Sequence, residues 1–286
     1  MVKTYKQAYL EAVNKLKNAN IEDAEFDCGC LFEKAFSHDI KTFKFSNRYT
    51  ENAYKDEILG FEKMIDMRIS GEPLQYIIGE WEFYGLDFNI GKGVLIPRQD
   101  TESLVDSVIN QFKDKSISVV DICAGTGCIG LTLEHYLNVN ELKFIELHEN
   151  AIEYLNQNIK KHNSKGSIIQ GDALENATAN KVENCDIIVC NPPYLTKQDM
   201  ENLQSEVRHE PVTALFGGDD GLDFYRGITR VWKNKLNDYG TLVFEIVIGQ
   251  EDDVMEIMIQ HGFVNVRAKK DLCGVYRIVT GSYTKA

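Results

Sequence analysis

Ser116-Ile117-Ser118-Val119-Val120-Asp121-Ile122-Cys123-Ala124-Gly125-Thr126-Gly127-Cys128 is the stretch that decides the fold. It opens as a β-branched run of strand length. Small residues and glycine follow from Cys123 to Gly127, and then an apolar segment of helical length over 128–137. A strand that enters a helix through small residues lets the backbone come close to a ligand, and in open α/β sheets nucleotides bind at that turn. Taken alone, the stretch is equally a tight turn with no ligand.

Outward from it, short apolar runs alternate with helical segments. Residues 142–147 read as a strand and 150–162 as a helix, 167–170 and 185–190 as strands, and 222–236 as a helix. Residues 240–247 read as a strand, 250–261 as a helix, and 263–269 and 274–280 as closing strands. That alternation predicts a mostly parallel sheet with helices on both faces. Upstream, Thr101 is placed to cap a helix carrying Leu104, Val105, Val108 and Ile109, with Glu102 in its first turn. Between 75 and 98 the chain is aromatic and β-branched (Tyr76, Ile77, Ile78, Trp81, Phe83, Tyr84), with Gly85 and Gly91-Lys92-Gly93 as turns, which predicts a β-hairpin linker. Before it, Tyr9, Ala12, Val13 and Leu16, then Cys28, Leu31, Phe32 and Ala35, then Ile58, Phe61, Ile65 and Ile69 recur at helical spacing. The expected organisation is a helical bundle over 1–75, a hairpin linker over 76–98 and an α/β domain over 99–286.

Composition narrows the chemistry. The 286 residues, 43% hydrophobic and 26% charged, suffice for two cores and show no bias towards disorder. Residues 1–20 lack the apolar core of a signal peptide, and no run approaches the roughly 20 apolar residues of a membrane span, so a cytoplasmic protein is expected. Cys28, Cys30, Cys123, Cys128, Cys185, Cys190 and Cys273 have no paired C-x-x-C spacing and read as reduced thiols; no metal is assigned. The net charge is −13, with 11 basic and 13 acidic residues in 1–75 against 20 and 31 in the remainder. Binding to a nucleic-acid backbone draws on Lys and Arg, so the more acidic α/β half argues against DNA as a partner.

The strand after the turn ends in Glu146, about 20 residues on, where a carboxylate can accept both hydrogen bonds of a ribose diol. The glycines run Gly125-x-Gly127-x-x-Gly130, displaced towards the helix relative to a dinucleotide fingerprint. Gly171-Asp172-Ala173 follows the next strand, and its carboxylate is placed to accept from an adenine amino group. Together these residues predict a cofactor that contains adenosine, held by Asp121, Cys123, Ala124, Gly125, Thr126, Gly127, Glu146, Asp172, Ala173 and Asn191. A dehydrogenase and a methyltransferase both remain open.

Asn191-Pro192-Pro193-Tyr194, at the end of the run 185–190, separates them. Consecutive prolines fix φ and remove two N–H groups, leaving a stiff loop rich in carbonyl acceptors. The Asn191 carbonyl and a proline carbonyl can receive the two N–H bonds of a planar nitrogen and aim it at the methyl of a sulfonium. Such a nitrogen needs no strong base, because its proton becomes acidic as the bond to carbon forms. Tyr194 is expected to cover the reacting group and the cation. All four residues are expected to be catalytic, with S-adenosyl-L-methionine as cofactor. An adenine amine and a glutamine amide fit the loop equally, and the charge balance favours protein.

Several further segments resemble the release factor glutamine N5-methyltransferase family, also called PrmC or HemK. They are Gln75-Tyr76-Ile77-Ile78-Gly79-Glu80, Trp81-Glu82-Phe83-Tyr84-Gly85, Val94-Leu95-Ile96-Pro97-Arg98-Gln99-Asp100-Thr101-Glu102, His209-Glu210-Pro211, and Ala214-Leu215-Phe216-Gly217-Gly218-Asp219-Asp220-Gly221-Leu222-Asp223-Phe224-Tyr225. The resemblance spans nearly the whole chain. It implies a seven-stranded Rossmann-like class I methyltransferase domain behind a helical domain that helps engage the substrate protein. The implied substrate is the glutamine of the Gly-Gly-Gln motif in class I peptide chain release factors, methylated on its side-chain nitrogen. The implied cofactor turn is Cys123–Gly127, the ribose acid Glu146 and the glutamine-binding loop Asn191–Tyr194.

This chain departs from the family pattern in having Cys123 for a glycine, Glu146 for an aspartate, Tyr276 for an aspartate, and Val247-Ile248 before Gly249-Gln250. The competing readings are an adenine-N6 DNA or RNA methyltransferase, a glutamine methyltransferase of a ribosomal protein, and a binding module without turnover. A monomer without membrane attachment is expected.

Overall fold

The computed structural model describes residues 3–285. The chain forms two compact units, the first running to Glu80 and including Gln204–His209, the second comprising Trp81–Leu203 and the chain from Glu210 on.

Helices build the first unit: α1 (Tyr5–Asn18), α2 (Ala24–Phe36), α3 (Ile40–Phe43), α4 (Lys55–Ile69) and α5 (Leu74–Ile78), with a 3-10 turn over Asn47–Thr50. Thr4 starts α1 through a capping box: its hydroxyl accepts from the Gln7 N–H at 3.2 Å, and the Gln7 side chain accepts from the Thr4 N–H at 3.0 Å. The core is aromatic. Tyr5 meets Phe36 and Phe43 edge-on at 5.1 and 5.2 Å, and Phe32 lies 5.8 Å from Phe61. Buried Arg68 donates to Asp27 at 2.6 Å and pairs with Glu206, tying the segment Gln204–His209 to α4.

Residues 74–78 correct the expectation of an extended linker. Tyr76, Ile77 and Ile78 suit a strand by type, but Pro73 starts a helical turn and Gly79, at φ +78°, ends it in the left-handed region. The hairpin itself is β1 (Glu80–Phe83) and β2 (Leu86–Asn89).

α6 (Gln99–Phe112) begins before Thr101, so Thr101 does not cap it. Pro97 holds the preceding chain extended, Arg98 (φ −104°, ψ 144°) is the capping residue, and Thr101 points inward from the first turn, 2% exposed.

The elements that follow are β3 (Ser116–Ile122), α7 (Cys128–Tyr136), β4 (Asn138–Glu146), α8 (Glu149–Lys161), β5 (Ser167–Gln170), α9 (Asn176–Ala179), β6 (Cys185–Cys190) and α10 (Lys197–Glu201). The chain closes with α11 (Asp223–Trp232), β7 (Leu236–Glu245), α12 (Glu251–Gln260), β8 (Phe263–Lys270) and β9 (Tyr276–Tyr283). The seven strands lie in the order β5-β4-β3-β6-β7-β9-β8, parallel from β5 to β7, with β9 antiparallel to both β7 and β8. Successive strands lead outward from β3 through β4 to β5, and the chain then returns to place β6 on the other side of β3. That reversal opens a crevice beyond the C-terminal ends of β3 and β6, where an α/β sheet binds its ligand.

Three strand starts differ from the expected ones, and the first of them is β4, which begins at Asn138 rather than at residue 142. Leu236 already pairs with Cys185 across an irregularity in register, so β7 starts earlier than residue 240. β9 starts later than 274 because Asp271 Oδ1 accepts from the N–H groups of Cys273 and Val275, both at 2.9 Å, and holds a turn there. Among the described residues no helix is long and apolar enough to cross a membrane.

Candidate active site

The crevice contains a cavity of about 170 Å³ within the second unit. Its wall combines the turn after β3, the end of β4, the turn after β5 and the loop after β6. The family-resembling segments add Val94, Arg98, Pro211 and Phe224.

The turn after β3 is held from three sides. Glu146, 7% exposed at the end of β4, accepts from Gly125 N–H through Oε2 at 2.9 Å, and from Leu147 and His148 N–H through Oε1 at 2.8 and 2.9 Å. Each carboxylate oxygen offers two lone pairs, so acceptor capacity remains for ligand hydroxyls. Asn158 of α8, fully buried, donates to Thr126 O at 2.9 Å and exchanges bonds with the Asn89 backbone at 2.7 and 3.0 Å, joining turn, helix and hairpin. Below, Asp121 Oδ2 accepts from Gly130 N–H at 2.9 Å, while its Oδ1 is buried without a partner. Burial pushes the Asp121 carboxyl up to about 8, opposed by the Gly130 N–H and reinforced by the charge of Glu146.

The expected cofactor residues divide accordingly. Cys123, Ala124, Gly125, Thr126, Glu146, Asp172, Ala173 and Asn191 line the cavity; Asp121 and Gly127 do not. Asp121 is turned under the helix start, and Gly127 serves packing: at φ +79° it begins α7, and a Cβ there would lie 2.4 Å from Leu155 Cδ1. Asp172 Oδ1 accepts from Leu174 N–H at 2.8 Å, which fixes its own turn, and Trp232 Nε1 donates to Ala173 O at 2.7 Å from below. Acceptor carboxylates beside the apolar side chains of Ile145, Leu147 and Leu174 are the acceptor set that suits a nucleoside, which has hydroxyls and an amino group to donate and a flat base to cover.

Asn191 and Pro193 line the same cavity, whereas Pro192 is buried and Tyr194 is absent from the wall. The Tyr194 ring packs against the buried cluster formed by β6, β7 and α11, and Phe224 is the aromatic side chain on the cavity wall. The loop Phe216–Gly221 backs the Asn191–Tyr194 loop closely. Leu195 N–H donates to Leu215 O at 2.8 Å, and Gly217 N–H to Leu195 O at 2.9 Å. A Cβ at Gly217 would lie 2.6 Å from Pro193 O, and one at Gly221, φ +74°, 2.3 Å from Tyr194 O. Only glycine allows this contact. Gln250 Nε2 completes it, donating to the carbonyls of Tyr194 and Gly221, both at 3.3 Å.

Asn191 Nδ2 donates to Thr101 Oγ1 at 3.2 Å, so its amide oxygen is the group left for a ligand. Arg98, on the rim, pairs with Glu210, whose carboxyl also accepts from Ile96 N–H at 3.3 Å. Burial raises the Glu210 carboxyl above the usual range, against the opposing effects of Arg98 and the Ile96 N–H. Tyr276 is covered by Lys270 Nζ 4.7 Å from its ring centre, and neighbouring Arg277 pairs with Asp100 at 2.8 Å and Asp271 at 3.4 Å. Among the described residues no His, Cys, Asp and Glu cluster suits a metal ion.

Thr101, Asn158, Phe224, Glu245 and Gln250 were not singled out as site residues from the sequence. Thr101 and Phe224 carry a signal, through their places in the stretches 94–102 and 214–225 that resemble the family.

Comparison with known proteins agrees with this architecture. The methyltransferase small domain family matches residues 99–216, and the PrmC N-terminal domain family matches residues 7–79. The release factor glutamine methyltransferase of Clostridium botulinum is 37% identical over 278 residues, covering 96% of this chain and 97% of the relative. That of Clostridium acetobutylicum is 35% identical, covering 96% of each. Among solved structures, a methyltransferase from Pyrococcus furiosus shares the fold with a TM-score of 0.53 at 16% identity, over 71% of this chain and 91% of the other. With relatives more than 30% identical over nearly the whole of both chains, and with the PrmC N-terminal domain family matching residues 7–79, this chain belongs to the release factor glutamine methyltransferases.

Proposed function

We propose that this chain transfers the methyl group of S-adenosyl-L-methionine to the side-chain amide nitrogen, N5, of the glutamine in the Gly-Gly-Gln motif of class I peptide chain release factors. The observation that carries the reading is the meeting of Glu146, Asp172, Asn191 and Pro193 in one cavity, on a chain that matches release factor glutamine methyltransferases over nearly its full length.

The bound cofactor supplies a methyl group made electrophilic by its sulfonium. Glu146 and the Cys123–Gly125 backbone are assigned to the ribose and the neighbouring chain of the cofactor, and Asp172 to the adenine amino group. Asn191 Oδ1 and a carbonyl of the proline pair accept the two N–H bonds of the glutamine amide and point its nitrogen at the methyl carbon. As the N–C bond forms and the S–C bond breaks, the nitrogen becomes positive and its N–H groups more acidic. Acceptors already in place favour that charge, and the proton then leaves to solvent. Pro192, Tyr194, Gly127 and Asp121 support the site from behind.

The helical unit is assigned to recognition of the substrate protein, and the reaction to the cytoplasm, where release factors act. Intact-mass measurement of a purified class I release factor after incubation with enzyme and cofactor tests the reading. One added methyl group is expected, and none when the Gly-Gly-Gln glutamine is replaced. Transfer to duplex DNA with none to the factor would contradict it.

A further inference from the structure

Behind Asn191 lies a buried polar cluster that the transfer step above does not use. Glu245 ends β7, 3% exposed, and the pairing of Cys190 with Phe244 sets it beside Asn191 across neighbouring strands. Thr101 and Asn191 lie close enough to its carboxyl to favour the ionised form, while its Oε2 is buried without a hydrogen-bond partner. Thr101 is 2% exposed, and its oxygen accepts from Asn191 Nδ2 at 3.2 Å.

A threonine hydroxyl has one proton to donate. If that proton goes to an ionised Glu245, the hydroxyl can only accept from Asn191. The Asn191 amide must then turn Nδ2 towards Thr101 and Oδ1 towards the cavity. If Glu245 is itself protonated, it can donate to Thr101, and the hydroxyl proton becomes free to seek Asn191 Oδ1. The amide then turns Nδ2 into the cavity, where a donor faces the two N–H donors of the substrate amide.

We propose that Glu245 is a positioning residue: in its ionised form it aligns the Thr101 hydroxyl, which fixes Asn191 with its oxygen towards the substrate nitrogen. This rests on the assignment of Asn191 to the glutamine amide made above.

The groups facing Glu245 are Asp100 on α6, Arg277 on β9, Cys128 on α7, Cys190 on β6, Tyr225 on α11 and Tyr194 in the catalytic loop. Burial pushes its carboxyl up to about 7; Asp100 adds to the rise, and Thr101, Arg277 and Asn191 oppose it. The aligned form is therefore populated above neutrality and lost as pH falls through that value.

The test is single-turnover methyl transfer to a purified class I release factor between about pH 5.5 and 8.5. In the wild type the rate rises with pH to a plateau through one ionisation. Glu245→Gln removes the rise and leaves about a tenth of the plateau rate, the size of one lost aligning hydrogen bond. KM for the cofactor changes by less than about threefold, because the cluster orients the acceptor side. Thr101→Val has the same effect, and Thr101→Ser restores both rate and pH dependence.

A wild-type profile in Glu245→Gln overturns the proposal. If that variant does not fold, equal impairment of Thr101→Ser and Thr101→Val overturns it instead. Asn191→Ala separates the two levels. Full turnover in that variant removes the loop assignment itself, whereas loss in Asn191→Ala beside a normal Glu245→Gln profile removes only the alignment by Glu245.

Discussion

Glu146→Gln isolates the contribution of one carboxylate to both the turn and the cofactor. Glu146 accepts three backbone N–H groups, two on Oε1 and one on Oε2. The best placement of an amide keeps its oxygen on Leu147 and His148 and sets an NH₂ group against the Gly125 N–H. One charge-assisted bond is then lost, at roughly 1.5–3 kcal/mol, and the other two weaken as the charge disappears. Gly125 can relax towards the cavity, so a net loss of about 2–3 kcal/mol in folding stability is expected without ligand. For the cofactor, one acceptor facing two ribose hydroxyls is lost. A further 1.5–3 kcal/mol corresponds to a roughly tenfold to hundredfold weaker Kd. Urea unfolding of the ligand-free protein and calorimetric titration with S-adenosyl-L-methionine read the two effects separately, with Glu146→Asp as a control that keeps the charge. An unchanged Kd with reduced stability would refute the ribose assignment and leave Glu146 as a support for the turn.

Three other outcomes are expected. Gly127→Ala forces a left-handed alanine and a contact of 2.4 Å with buried Leu155 Cδ1, which should cost about 2–4 kcal/mol in urea unfolding; unaltered stability would contradict the packing argument. Asp121, held up to about 8 in the folded chain, stays protonated where the unfolded chain has lost its proton, so stability falls as pH rises towards 8. From pH 6 to 8 the wild type should lose on the order of 2 kcal/mol more than Asp121→Asn, and parallel profiles for the two would exclude this carboxyl as the source. On the first unit, Phe45 and Tyr54 are 83% and 72% exposed, the aromatic type that anchors protein partners. Replacing both with serine should raise KM for a whole release factor at least about tenfold and leave that for a short Gly-Gly-Gln peptide unchanged; equal effects on both would place the contact elsewhere.

What the sequence made legible was what lies contiguous in the chain and depends on backbone. The β-branched run before Cys123, the small residues after it, the acid at the end of the next strand and the proline pair after β6 each carry their meaning locally. Thr101, Asn158, Glu245 and Gln250 do not, because each is an ordinary polar residue of its own helix or strand end, and packing alone brings it under the site. The packing of Tyr194 is hidden for a similar reason: Gly217 and Gly221, more than twenty residues away, let a second loop back the Asn191–Tyr194 loop closely while Phe224 lies on the cavity wall. At Leu74–Ile78 local propensity misled, since a β-branched pair suggests a strand and the flanking Pro73 and Gly79 set a helical turn. The association of Gln204–His209 with the first unit includes the Arg68–Glu206 pair, a contact between residues too distant in sequence for periodicity to connect.

The central claim is that the Asn191 loop directs methyl transfer to a glutamine amide. Its most direct test is fragment-ion mapping of a class I release factor after a single turnover, with wild-type enzyme and with Asn191→Ala at equal cofactor occupancy. One methyl group is expected on the side-chain nitrogen of the Gly-Gly-Gln glutamine with the wild type, and none with the variant. A methyl group on any other residue, or an equal yield from Asn191→Ala, would contradict it.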